Sequence, residues 1–327
     1  MSNPPGAGTG PVLRIIYRSH GGENIKSRPP YYSKLLGLAS VVRAVAECGV
    51  PHQVIFWNDG PIPGDRLELM RSSGDVVQID GGSNRASYRA AIDLVARSDW
   101  GPDDLIWFAE DDYLYLPDAF RRFVAGARAI PDADYLSMFG GLALDLTSPR
   151  NAPRALQRFG AADVPDAVEV DGIRWFRGVS TTSTFGVRRS VLLQDRRLLR
   201  VLPYSGGSWD HTTCLSVQGL QPFSWSELGS ELLPFRSLPP ARWPASMVRG
   251  AVRVGVNLRA RRSAARRRRL YLCDPVAALH MELPARGSDL DWESLAGEAR
   301  QWAVGQGIPV GNPVGADGPS ERDSSSR

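Results

Sequence analysis

The sequence predicts an α/β protein, a mostly parallel sheet flanked by helices, and three observations carry that prediction. Short apolar, β-branched runs alternate with stretches of helical period along the first half of the chain. Each apolar run ends in a cluster of polar residues or a turn signature. The chain is also long enough, at 327 residues with 43% hydrophobic and 23% charged content, to bury a core on both faces of a sheet.

The elements follow in order. Val12–Tyr17 reads as the first strand, and Tyr31–Cys48 as a helix with Leu35, Leu38, Val42, Val45 and Ala46 on one face and Gly49 as its stop. His52–Trp57 is a second strand running into the turn Asn58-Asp59-Gly60, and Val76–Asp80 a third, running into Gly81-Gly82-Ser83. A helix over Arg85–Arg97 leads to a fourth strand, Asp104–Ala109, which meets Glu110-Asp111-Asp112 directly. Helices between strands imply right-handed crossovers and a parallel sheet, whose ligands bind beyond the carboxyl ends of the strands. Arg18-Ser19-His20, Asn58-Asp59, Asp80 to Arg85 and the acidic triplet all lie at such ends. The second half is less regular: Asp134–Phe139 and Gly178–Val187 read as strands, Leu116–Ala129 and Arg188–Leu199 as helices, and Pro222–Pro244 as loops with short edge strands. Residues 1–11 and 305–327, rich in Gly, Pro and Ser, read as tails, and the character of the chain changes near 147/148.

No stretch is apolar for long enough to span a bilayer, and the N-terminus lacks a secretory pattern. Cys48, Cys214 and Cys273 are far apart, which excludes a disulfide framework and a zinc ribbon. A cytoplasmic protein is expected. The net charge of +4 is concentrated: residues 232–273 hold 11 arginines and no acid. Of the 39 basic residues, 37 are arginine and two, Lys26 and Lys34, are lysine.

The triplet is the sharpest chemical signal. Three adjacent carboxylates repel one another unless a positive charge sits among them, and hard divalent cations take carboxylate oxygens. In an extended segment Glu110 and Asp112 share one side and Asp111 takes the other. A solvated acidic turn ahead of the next helix explains the triplet equally well.

A parallel α/β half ending in an apolar strand and this triplet resembles the GT-A nucleotide-sugar glycosyltransferases, family 2-like members above all. Phe56-Trp57-Asn58-Asp59-Gly60 resembles the family's nucleobase-contacting segment, and Gly82-Ser83-Asn84-Arg85-Ala86-Ser87 its helix start beside the nucleotide. The likeness spans about residues 12–285 and implies a nucleoside-diphosphate sugar donor contacted by Arg18, Asp59, Arg85, Glu110 and Asp111. It implies Mn²⁺ or Mg²⁺ held by Asp112 and a late histidine, His280, with His211 the competing candidate. It also implies an acidic general base, Asp210, that takes the acceptor's hydroxyl proton in an inverting transfer. Trp175 and Gly178–Phe185 would line the donor-sugar pocket, though strand core explains most of them as well.

A sugar nucleotidyltransferase shares such a sheet, but Arg18-Ser19-His20-Gly21-Gly22-Glu23 lacks the Gly-rich loop with Arg and Lys expected of one. A non-catalytic nucleotide- or sugar-binding protein of the same fold is the other alternative. The Arg-rich segment 247–272 reads first as a solvated helical face, second as a contact for anionic membrane or a phosphorylated or lipid-linked acceptor, and last as a nucleic-acid surface. Nucleic acid is not expected, because Tyr271 is the segment's sole aromatic.

Overall fold

The computed structural model describes residues 10–139, 167–236, 239–262, 267–283 and 290–310. The expected boundary near 147/148 and most of the two expected tails lie outside these residues. The first half runs β1 (Leu13–His20), α1 (Lys34–Ala46), β2 (His52–Asp59), α2 (Gly64–Ser73), β3 (Asp75–Ile79), α3 (Asn84–Arg97) and β4 (Leu105–Glu110). The second half adds β5 (Tyr113–Tyr115), α4 (Ala119–Ala129), β6 (Tyr135–Ser137), β7 (Val168–Val170), β8 (Ile173–Arg177), β9 (Phe185–Arg188), α5 (Arg189–Val201) and α6 (Trp209–Val217). It ends with α7 (Trp225–Leu232), α8 (Trp243–Arg262), β10 (Leu270–Asp274), β11 (Ala278–His280) and α9 (Trp292–Gly305).

Among the described residues, one nine-stranded sheet runs in the order β3-β2-β1-β4-β9-β6-β10-β8-β7. β3, β2, β1 and β4 are parallel. β9 runs antiparallel between β4 and β6, β6 pairs in parallel with β10, and β8 and β7 close the far edge antiparallel. The α/β fold class read from the sequence is the fold of the structure.

Strand alternation assigns each residue to one of two cores. Leu13, Ile15, Tyr17, Phe56, Trp107 and Ala109 face α1, α4 and α9. Ile16, Ile55, Trp57, Ile106 and Phe108 face α3, α5 and α6. Because β1 leads through α1 to β2 on one side, while β3 returns through α3 to β4 on the other, the chain reverses its winding between β1 and β4. A crevice opens at the carboxyl ends of strands at such a switch point.

Several elements depart from expectation for local reasons. In α2 just Arg66, Leu69 and Met70 are buried, so it shows no apolar stripe. Residues 178–184 form no strand, and β9 begins at Phe185. The segment read as loops holds α7, closed by a capping box in which Ser224 and Glu227 satisfy each other's backbone amides. Trp175 is fully buried in the core and packs on α4 at Gly126, where an added Cβ would lie 2.6 Å from the indole. It therefore does not line a sugar pocket. After α9 the chain stays packed as far as Val310, which is buried.

Candidate functional site

Polar side chains converge beyond the ends of β1, β2 and β4 and enclose a cleft of about 880 Å³. Its walls include Arg18, Lys26, Lys34, Asp59, the whole acidic triplet, Thr182, Ser183, Asp210 and His280. Of the residues expected in the site, the fold brings Arg18, Asp59, Glu110, Asp111, Asp112, Asp210 and His280 together. Arg85 stands apart on the exposed side of α3, its guanidinium 5.1 Å from the Tyr204 ring. Ser83, Asn84 and Ser87 from the same segment line the cleft instead.

Register explains the meeting. β1 and β4 pair with Arg18 opposite Glu110, and β1 and β2 with His20 opposite Asp59. His280 arrives from 168 residues beyond Asp112 because β11 pairs antiparallel with β5, setting His280 opposite Tyr113. The imidazole stacks on the Tyr113 ring at 4.8 Å, and Met281 N donates to Asp112 O at 2.9 Å. Asp210 stands in the first turn of α6, with its Oδ1 accepting from His211 N at 2.8 Å. His211 itself is not part of the cleft wall, and burial lowers its basicity.

Each carboxylate has its own surroundings. Asp59 Oδ1 accepts from Gly81 N at 2.8 Å and Gly82 N at 3.1 Å, which holds the turn before α3. A Cβ at Gly81 would stand 2.7 Å from Asp59 Oδ2, so a larger residue there would have to displace this carboxylate. Asp111 Oδ2 accepts from His20 N at 2.9 Å and pairs with Lys34 at 3.0 Å and Arg66 at 3.7 Å, fastening the end of β4 to the loop after β1. Burial raises its pKa, against the pull of Lys34.

Glu110 is the acid of the triplet whose pKa is raised furthest. Burial, opposed by Arg18 at 3.4 Å and reinforced by Asp112 and Asp210, pushes it up to about 7. Arg18 is buried, bonds Asn84 through its other arm and lies 5.5 Å from the Tyr88 ring. Asp112 goes the other way. Burial alone would raise it, but the hydrogen bond and charge of His280, with Lys26 and Arg28, hold it well below the usual carboxylate range.

The expected metal pair can be tested on this geometry. Asp112 Oδ2 and His280 Nε2 lie 2.9 Å apart, as two ligands of one ion would. Their shared side, however, already holds cations. Arg28 Nη2 is 3.1 Å from Asp112 Oδ2, and Lys26 Nζ is 3.3 Å from His280 Nε2 and 3.9 Å from Asp112 Oδ2. Setting a doubly charged ion about 4 Å from that ammonium would cost on the order of 8 kcal/mol at an effective dielectric of about 20. Among the described residues, no cluster of three His, Cys, Asp or Glu side chains could hold a metal. The residues do not fit the divalent ion that the sequence led us to expect. Lys26, Arg28 and Glu282 belong to the site and were missed, because nothing local marks them. The rarity of lysine in this chain was the available signal.

No protein-family model matches the sequence, and no curated protein does. Among solved structures, the chain is similar to S. aureus TarS residues 1–349, at 14% identity and TM-score 0.38, over 62% of this chain. It spans about half, 54%, of that TarS chain. It is also similar to a galactosyltransferase, LgtC, in complex with donor and acceptor sugar analogs, at 13% identity and TM-score 0.42, over 90% of this chain and 96% of that one. A third similarity, at 12% identity and TM-score 0.39, is to a CMP:2-keto-3-deoxy-manno-octonic acid synthetase complexed with CTP, over 90% of this chain and 100% of that one. Likenesses of this depth carry no argument about what the chain acts on.

No helix among the described residues is long and apolar enough to cross a membrane. The Arg-rich segment forms α8 and β10, and several of its arginines are engaged: Arg249 and Arg253 with Glu231, Arg268 with Asp195 and Asp134. Met247, Val248 and Leu258 on α8 are exposed.

Proposed function

We propose that the chain is a glycosyltransferase that moves a sugar from a nucleoside-diphosphate sugar to a hydroxyl acceptor, with Asp210 as general base. The observation that carries this reading is the cleft at the switch point, lined by cationic and hydrogen-bonding groups together with a carboxylate, Asp210. A diphosphate needs donors and positive charge. The start of α3 offers Ser83, Asn84 and Ser87 beside a helix N-terminus, and the β1 side offers Arg18 and Lys26. In the transfer, the acceptor oxygen bonds to the anomeric carbon as the carbon–oxygen bond to the diphosphate breaks. The acceptor's proton passes to Asp210, and single displacement inverts the anomeric centre. Thr182 and Ser183 add hydroxyls to the cleft wall.

Included in the proposal is a peripheral contact with anionic membrane through α8, where exposed Met247, Val248 and Leu258 stand in a segment without acidic residues. The acceptor would then be lipid-linked.

The decisive comparison is wild type against Asp210→Asn. The variant should bind the nucleoside-diphosphate sugar as wild type does and lose transfer by about 10²- to 10⁴-fold. Transfer near the wild-type rate would remove Asp210 as base. Absence of nucleotide binding by wild type would remove the donor-site reading.

A further inference from the structure

We infer that Lys26 takes the place of a divalent cation in this cleft, so that the diphosphate is bound, and neutralised as it leaves, by an ammonium group built into the chain. The inference rests on the donor-site reading above and goes beyond it by naming the residue that replaces the metal.

The first ground is position. Lys26 Nζ lies 3.1 Å from Glu282 Oε2, 3.3 Å from His280 Nε2 and 3.9 Å from Asp112 Oδ2. Carboxylate oxygens and an imidazole nitrogen around one point are the donor set a hard divalent ion would seek. Here the point is filled by nitrogen. Arg28 secures the arrangement from the other side, donating to Met281 O at 2.8 Å and to Asp112 Oδ2 at 3.1 Å, with its guanidinium 4.3 Å from the Tyr32 ring.

The second ground is composition. The chain uses arginine at 37 of 39 basic positions, and both of its lysines line this cleft. Arginine is a planar fork, whereas lysine is a compact point charge with three rotatable donors. A site with two carboxylate acceptors within 4 Å, Glu282 Oε2 at 3.1 Å and Asp112 Oδ2 at 3.9 Å, suits the ammonium. The two lysines then divide by saturation. Lys34 is buried and spends its donors on His20 O at 3.0 Å, Gly22 O at 2.6 Å and Asp111 Oδ2 at 3.0 Å. Lys26 has one acceptor within hydrogen-bond distance, Glu282 Oε2 at 3.1 Å, and its side chain is 32% exposed, towards the cleft, leaving N–H directions for an anion.

In the transfer, the electron pair of the breaking carbon–oxygen bond stays on the diphosphate oxygen. Lys26 donates a hydrogen bond to that growing charge and keeps its proton. The proton released in the reaction is the acceptor's, and it resides on Asp210.

The test is calorimetric titration of the full chain with UDP, GDP, ADP and dTDP, in EDTA and in MnCl₂, beside Mn²⁺ electron paramagnetic resonance without nucleotide. Wild type should bind its nucleoside diphosphate equally well in EDTA and should leave Mn²⁺ free in solution. Lys26→Met should weaken binding in EDTA by about 10- to 100-fold, the worth of a charged hydrogen bond. Mn²⁺ should not restore its nucleotide affinity, because Arg28 still stands 3.1 Å from Asp112 Oδ2. Lys26→Arg should not rescue binding in EDTA. Circular dichroism and melting temperature check that each variant folds. Wild-type binding that requires Mn²⁺, or a folded Lys26→Met that binds normally in EDTA, overturns the inference while leaving the glycosyltransferase reading standing. If no nucleoside diphosphate binds under either condition, the donor-site reading falls. The resonance experiment still decides Lys26, because Mn²⁺ held by wild type refutes its role.

Discussion

Glu110 offers a test in which removing a charge should stabilise the protein. In the unfolded chain its carboxyl titrates near 4.5, whereas in the folded protein it is pushed up to about 7, by burial first, against Arg18, with Asp112 and Asp210 adding to the rise. Between those two values the native state retains a proton that the unfolded state releases, so stability falls as pH rises through the window and levels off above about 7. At about 1.4 kcal/mol for each unit of the difference, the loss amounts to about 3 kcal/mol. Glutamine has the shape of the protonated acid. Glu110→Gln should therefore match wild type below about pH 4 and exceed it by about 3 kcal/mol near pH 8. Urea denaturation of both proteins across that range, followed by circular dichroism, measures the difference directly. A variant less stable than wild type at pH 8 would show that the Arg18–Glu110 ion pair outweighs the burial of the charge, and the reasoning would be wrong.

Other consequences can be checked with single substitutions. Gly186→Ala should destabilise by about 1–3 kcal/mol in thermal or urea unfolding, because the new methyl would lie 2.1 Å from Phe123 Cε2 in a packed core. Arg189→Met should lower stability by about 2 kcal/mol, since its guanidinium serves Ser98 O at 2.6 Å, Trp100 O at 2.8 Å and Val95 O at 3.3 Å where α3 ends. If α8 meets anionic lipid, the chain should cosediment with phosphatidylglycerol vesicles and not with phosphatidylcholine vesicles. Val248→Glu should then weaken that binding by about tenfold, and unchanged sedimentation would remove the contact.

The first half of the fold was legible because its signals are local. The strand LRIIYRSH of β1 and the strand LIWFAE of β4 are apolar runs with nothing else to be, and α1 and α3 each open on a serine, Ser33 and Ser83, that caps its own helix. The elements that went unread carry weaker or different marks. α2 buries three residues and has no periodic face, whereas α7 did announce itself through Ser224 and Glu227, a signal outvoted by the prolines around it. Gly178–Val187 is apolar enough for a strand, but Thr181 Oγ1 bonds Ser137 Oγ and Thr184 O while Thr182 Oγ1 accepts from Thr184 N, so the segment bends into the cleft wall.

Read alone, the sequence determined the alternation of strand and helix, the acidic triplet at the end of a buried strand and the rarity of lysine. These depend on residue type and spacing along one dimension. Tertiary structure decided which charges meet. β11 pairs with β5 and carries His280 to Asp112, and the loop after β1 folds back to lay Lys26 and Arg28 on that pair. The carboxylates of the triplet differ in chemistry for the same reason, since Glu110 faces burial and other acids while Asp112 faces three cationic or imidazole groups. Electrostatic energy depends on distance in space and on exclusion of water, and neither is written in the order of residues.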